Sequence, residues 1–151
     1  GVLKRLGIED LALRQFNELS AGQHQKVVLA RGLVQEPNIL LLDEPTANLD
    51  IKHQMNVTRI LKELSVSQDM TVIMISHDLN IASRYSDKII MLHNKGIFRI
   101  GTPQEVITEE NIKEVYDVES QVIMDCGRPY VILRDALFNP ADCPKGSICS
   151  R

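Results

Sequence analysis

Ile39-Leu40-Leu41-Leu42-Asp43-Glu44 sends four aliphatic side chains in succession toward a core and then releases two acids. The apolar run from Asn38 to Leu42 has the length and continuity of a strand buried on both faces of a parallel sheet. A phosphate-transfer site needs a hard-oxygen contact for Mg, which keeps several waters and takes one or two carboxylates. It also needs a group that orients or deprotonates the attacking water. Asp43 suits the first role and Glu44 the second. Taken alone, the same pattern also reads as a solvated turn, because Glu44-Pro45 is a common way to begin one.

Downstream, a helix is expected from Ile51 to Val66, with Met55, Ile60, Leu61 and Leu64 on its apolar face. Thr71 to Ile75 is a second buried strand, rich in β-branched residues. A short helix from Asp78 to Tyr85, a third strand from Lys88 to Leu92 and a hairpin return over Ile97 to Ile100 follow. Pro103 opens a helix, Glu109 to Tyr116 forms another, and Gln121–Met124 pairs with Tyr130–Leu133 around Gly127. Upstream, Pro37 closes a helix from Ala21 to Gln35, whose stripe is Val27, Val28, Ala30, Leu33 and Val34; Ile8 to Phe16 reads as a short helix before it. Alternating strands and helices indicate an α/β sheet with parallel strands, and such sheets collect chemistry at their carboxyl ends.

Three further clusters sit where that rule directs attention. In Leu19-Ser20-Ala21-Gly22-Gln23, Ser20 takes the N-cap position and Gln23 completes a capping box. The same helix start offers free N–H groups and a positive dipole end to an anion, and Gly22 leaves room for a phosphate against the backbone. Ser76-His77-Asp78 follows the second strand, so His77 is placed to contact a phosphate oxygen or a water; a packed or solvated histidine has the same sequence signature. Ala47-Asn48-Leu49-Asp50 reads as a turn with Asp50 capping the next helix.

The 151 residues suffice for one core, and 44% hydrophobic content is ordinary for a globular protein. A net charge of −3 gives no electrostatic case for nucleic acid. The longest apolar runs are far below the roughly 20 residues of a membrane-spanning helix, and no secretory leader stands at the start. Three cysteines, Cys126, Cys143 and Cys149, suit a reducing compartment; the last two read as reduced thiols in a tail rather than half of a zinc site. The expected organisation is residues 1–138 as the folded portion and 139–151 as a flexible tail. Gly1 lies inside a pattern, as it would in a fragment.

In order and spacing, these elements resemble ATP-binding-cassette (ABC) ATPases over almost the whole chain. Leu19 to Gln23 is similar to the family's signature sequence, with Ala21 where glycine is commoner. Ile39 to Glu44 resembles the Walker B strand, Ala47 to Asp50 the D-loop and His77 the switch histidine. Thr102 to Ile107 and Glu109 to Tyr116 resemble the corresponding segments of ATPases that power iron-siderophore, haem and cobalamin import.

The resemblance implies the core of a P-loop NTPase: a largely parallel sheet flanked by helices, with a C-terminal hairpin and helices. It implies ATP and Mg as cofactors. Asp43 would hold Mg through water, Glu44 would polarise the attacking water, and His77 would contact the γ-phosphate and help hold Glu44. Ser20, Gly22 and Gln23 would form the signature contact to ATP on the other subunit of a head-to-tail dimer, and Asp50 would communicate across it. A transmembrane permease is the implied second partner, with the ATPase peripheral on the cytoplasmic face of the membrane.

No Gly-x-x-x-x-Gly-Lys-Ser/Thr loop occurs in the chain, so it lacks the Walker A strand that the family places between the strands expected at Thr71–Ile75 and Lys88–Leu92. The alternatives are a soluble ABC ATPase acting on DNA or ribosomes, which the negative charge and the tail resemblance oppose, and a non-enzymatic fragment.

Overall fold

A computed structural model describes residues 1–47 and 49–137. Asn48 of the expected turn, Cys143, Cys149 and the expected tail over 139–151 lie outside the described residues. The chain divides into two compact units, Gly1–Ile81 and Ala82–Arg151.

The first unit is built around a parallel strand pair. β1 (Ile39–Asp43) runs beside β2 (Thr71–Ile75) in the register Ile39↔Thr71 through Asp43↔Ile75. A parallel pair needs a long crossover, and α3 (Ile51–Ser67) supplies it. Leu40 is buried, and Leu42, Val72 and Met74 pack on the same apolar cluster. Into that cluster α2 (Ala21–Leu33) contributes Leu29, Ala30 and Leu33, and α3 contributes Val57, Leu61 and Leu64. Each buried leucine or valine among them contributes about 1.5–3 kcal/mol.

The strands depart from double-sided burial. Ile39, Leu41, Ile73 and Ile75 are at least half exposed, so one face of the pair packs and the other does not. The helices also turn differently from the expected stripes. Leu29 replaces the exposed Val28 and Val34 in the α2 face, and Val57 replaces the half-exposed Met55 in the α3 face.

The expected helix over Ile8–Phe16 is instead two single 3₁₀ turns, Glu9–Leu11 and Phe16–Glu18. Ile8 and Leu11 are buried three residues apart, which one tight turn achieves, while Leu13 is 99% exposed and has nothing to hold a longer helix. Ahead of them α1 (Val2–Leu6) ends at Gly7, which takes the left-handed conformation (φ 62°) and caps the helix with its N–H.

α4 (Leu79–Tyr85) spans the boundary between the units. In the second unit β3 (Ile89–His93) pairs antiparallel with β4 (Gly96–Gly101) around Asn94 and Lys95, both at positive φ, as a tight two-residue hairpin requires. α5 (Pro103–Val106) and α6 (Glu109–Tyr116) follow, and β5 (Val118–Asp125) pairs antiparallel with β6 (Arg128–Ala136) around Cys126 and Gly127. Val106, Ile107 and Ile112 are fully buried. The architecture is thus α/β as expected, with the parallel pairing among the described residues carried by β1 and β2 and the other two pairs formed as hairpins.

Candidate functional site

The parallel register puts the carboxyl ends of β1 and β2 side by side, because Asp43 stands opposite Ile75. Glu44 is therefore one residue beyond that level and His77 two, on adjacent strand exits. Their side chains meet: His77 Nε2 donates to Glu44 Oε1 at 2.7 Å, across 33 residues of sequence. A carboxylate only accepts, so the contact fixes the proton on Nε2.

Local backbone structure aims both groups. Glu44 has φ 44°, a left-handed conformation uncommon outside glycine, and its carbonyl accepts the Ala47 N–H at 3.0 Å in the turn that follows. Such conformations persist where surrounding structure over-determines them, and they gather at functional sites. On the other strand exit, Ser76 Oγ accepts the Asp78 N–H at 3.1 Å. Asp78 Oδ1 in turn accepts the N–H groups of Asn80 and Ile81, each at 2.9 Å. The backbone on the downstream side of His77 is held by this chain of short bonds, while its side chain stays 80% exposed. Asp43, the last residue of β1, is exposed beside Glu44.

A second group forms around the start of α2. The expected capping box is present: Gln23 N–H donates to Ser20 Oγ at 3.3 Å, and Ser20 N–H donates to Gln23 Oε1 at 3.0 Å. The Phe16 and His24 rings meet beside it, 4.1 Å between centroids and tilted by 56°. A Cβ on Gly22 would stand 3.2 Å from Leu49 Cδ2, so the glycine permits the α2 start and the segment before α3 to approach closely.

An open cavity of about 540 Å³ lies there, and its walls include Ser20, Gly22, Gln23, Lys26, Asp50 and His53. Asp50 caps α3, accepting the His53 N–H at 2.8 Å. Its carboxyl is held below its ordinary value, first by that backbone N–H and then by the His53 ring.

The candidate residues thus fall into two groups. Glu44 and His77 are in contact, with Asp43 adjoining in the chain; Ser20, Gly22, Gln23 and Asp50 share the cavity, whose walls include none of the first three. Leu49, Lys26 and His53 were not among the sequence candidates. His53 could have been found, since it stands three residues after a capping aspartate, where a helix brings side chains together.

As for a metal, no group of three or more His, Cys, Asp or Glu side chains is placed to hold one among the described residues. The exposed Asp43 carboxylate is a single hard-oxygen donor, which suits Mg bound mostly by water and phosphate. No described helix is long and apolar enough to cross a membrane.

A family profile described as ABC transporter matches residues 1–47. An uncharacterized ABC transporter ATP-binding protein of Methanocaldococcus jannaschii is 54% identical over 131 residues, which is 87% of this chain and 51% of that protein. A siderophore transport system ATP-binding protein of Bacillus subtilis is 42% identical over 146 residues, covering 90% of this chain and 53% of the relative. The chain spans about half the length of these curated relatives.

Among solved structures, a metal-chelate type ABC transporter in an inward-facing conformation superposes with a TM-score of 0.77 at 29% identity, over 89% of this chain and 54% of that one. A dimeric ATP-binding cassette bound to ADP and Pi superposes with a TM-score of 0.62 at 36% identity, over 67% of this chain and 44% of that one. By these matches the chain belongs to the family of ABC transporter ATP-binding proteins.

Proposed function

We propose that this chain is the signature-bearing portion of an importer ATPase that couples ATP hydrolysis to uptake of a metal chelate such as an iron-siderophore, haem or cobalamin. The observation that carries the reading is the Glu44–His77 contact at the carboxyl ends of a parallel pair. A carboxylate positioned by a histidine at that level is equipped to orient a water and accept its proton. The names of the relatives, among them siderophore, cobalamin and hemin import ATP-binding proteins, support the substrate class.

In this reading Glu44 polarises the attacking water. His77 donates to Glu44 through Nε2, keeps its carboxylate oriented, and contacts the γ-phosphate. Asp43 would hold Mg, which would supply charge neutralisation at the phosphate oxygens. Ser20, Gly22 and Gln23 present the start of α2 to the γ-phosphate of ATP bound to a second ATPase subunit, arranged head to tail, with Asp50 beside them. The separation of the candidate residues into two groups fits a site completed by two subunits. The ATPase docks on a transmembrane permease and is peripheral on the cytoplasmic face of the membrane.

Glu44→Gln in the complete protein tests the reading. The amide is nearly isosteric but takes up no proton, so turnover should fall about 100-fold or more while ATP stays bound. The loss belongs on kcat, because the contact matters in the transition state. Retention of more than about a tenth of wild-type turnover, against that expected loss, would remove Glu44 from the role of base.

A further inference from the structure

An aspartate N-cap needs one carboxylate oxygen to satisfy a helix N–H. At Asp50 both oxygens are taken, and by the same residue. Oδ1 accepts the His53 backbone N–H at 2.8 Å, and Oδ2 meets His53 Nδ1 at 2.7 Å. The second bond is not required for the cap. Nor is the His53 ring part of the α3 packing face, which is Val57, Thr58, Leu61 and Leu64. Both side chains stay substantially exposed, Asp50 at 64% and His53 at 42%, and both line the cavity that holds Ser20, Gly22 and Gln23.

We propose that His53 is a positioning residue of the nucleotide site, clamping the Asp50 carboxylate in one orientation at the wall of the cavity shared with the signature turn. This rests on the assignment of Asp50 to the ATP site made above. A carboxylate held by its cap bond alone leaves its second oxygen to be ordered each time the site closes; one held at both oxygens is already ordered. The two His53 bonds also keep Asp50 ionised, with Lys52 adding attraction from the same helix. Of the other elements around the cavity, α2 contributes Lys26 and the turn after α1 contributes Asp10. The ring donates from Nδ1 whether it is the neutral Nδ1–H tautomer or the cation, so the clamp needs a donor at that position and not a charge.

The test compares His53→Ala, His53→Asn and Asp50→Ala in the complete transporter ATPase, together with the Asp50→Ala/His53→Ala double variant. The asparagine amide places a donor near the Nδ1 position without a titratable ring. Clamping predicts that His53→Ala lowers kcat roughly tenfold, short of the ~100-fold that a misplaced catalytic contact can cost. KM for ATP and Tm should stay near wild type. His53→Asn should recover most of the turnover with an unchanged pH profile, and His53→Ala should add nothing on top of Asp50→Ala.

Wild-type kcat in His53→Ala, a fall explained by lost folded protein, or full additivity in the double variant would overturn the clamp. If Asp50→Ala is impaired and His53→Ala is not, the clamp alone fails. If Asp50→Ala itself turns over normally, the assignment of Asp50 fails and the clamp with it. Should His53→Ala not fold, His53→Leu is read in its place, since it keeps bulk but carries no donor for Asp50 Oδ2.

Discussion

His77 is the residue at which exposure bears on two roles that its sequence position leaves open. A packing histidine would be buried; this side chain is 80% exposed, and its ring meets the Glu44 carboxylate. His77→Ala in the complete protein should therefore lower turnover by about 10-fold to 100-fold and leave stability within about 0.5 kcal/mol, as for a surface substitution. Melting temperature and activity per folded molecule, measured on the same sample, check this. A large stability loss with normal activity would return His77 to a packing role. The strand-end placement of Asp43, Glu44 and His77 was legible in the sequence because each lies at the end of an apolar run, where chemistry collects in such sheets. The left-handed φ of Glu44 was not. Glutamate has no preference for that conformation, so the turn after β1 sets it, and residue type alone does not reveal it.

Among the elements, α5 shows how a helix of four residues holds its place. Thr102 N–H donates to Glu105 Oε2 at 2.7 Å, and Thr102 Oγ1 donates to the same oxygen at 2.9 Å. Pro103 takes the first helical position, where its missing N–H costs nothing. The two Thr102 bonds, backbone first, hold the Glu105 carboxyl below its ordinary value. A carboxyl with a lowered folded-state pKa contributes stability above its unfolded pKa and loses it as pH falls through the folded value. Glu105→Gln should therefore unfold the second unit more easily than wild type at neutral pH, with the difference closing as pH drops below the usual carboxylate range. All three tyrosines, Tyr85, Tyr116 and Tyr130, belong to that unit, and the protein has no tryptophan, so tyrosine fluorescence in urea follows it alone. A gap that stayed constant down to strongly acid pH would show that ionised Glu105 is not the source. The expected Glu109–Tyr116 helix matches α6, because Thr108 caps it through the Asn111 N–H and Asp117 ends it. α1 escaped the sequence reading because five residues ended by Gly7 are shorter than the window over which helical periodicity can be counted.

At the scale of the whole molecule, the continuous apolar runs of β1 and β2 read as double-sided burial, yet Ile39, Leu41, Ile73 and Ile75 are exposed in this chain. What lies against a sheet face depends on other segments, which a strand's own sequence does not specify. The same limit applies to the cavity beside Ser20. Within its own chain Ser20 is an N-cap, and Ser20→Ala would cost about 1 kcal/mol for that reason alone, so a loss of activity in that variant would not distinguish capping from a contact with nucleotide on a second subunit. Ser20 Oγ accepts the Gln23 N–H, but a hydroxyl that accepts still has its own hydrogen to donate, and bonds to phosphate are charge-assisted and strong. The proposed head-to-tail dimer would use that donor in trans. Complete subunits carrying Ser20→Arg, which blocks the α2 start with bulk and displaces the cap, should be mixed with subunits defective in the phosphate-binding loop. Heterodimers would then contain one composite site with both faults and one with neither. Action in trans predicts partial recovery of ATPase activity relative to either parent alone, with recovery tracking the heterodimer fraction measured by differential tagging. If verified heterodimers gave no recovery, Ser20 would act only through the helix it caps, because a folding defect stays with its own chain and leaves no site in the mixture that mixing can restore.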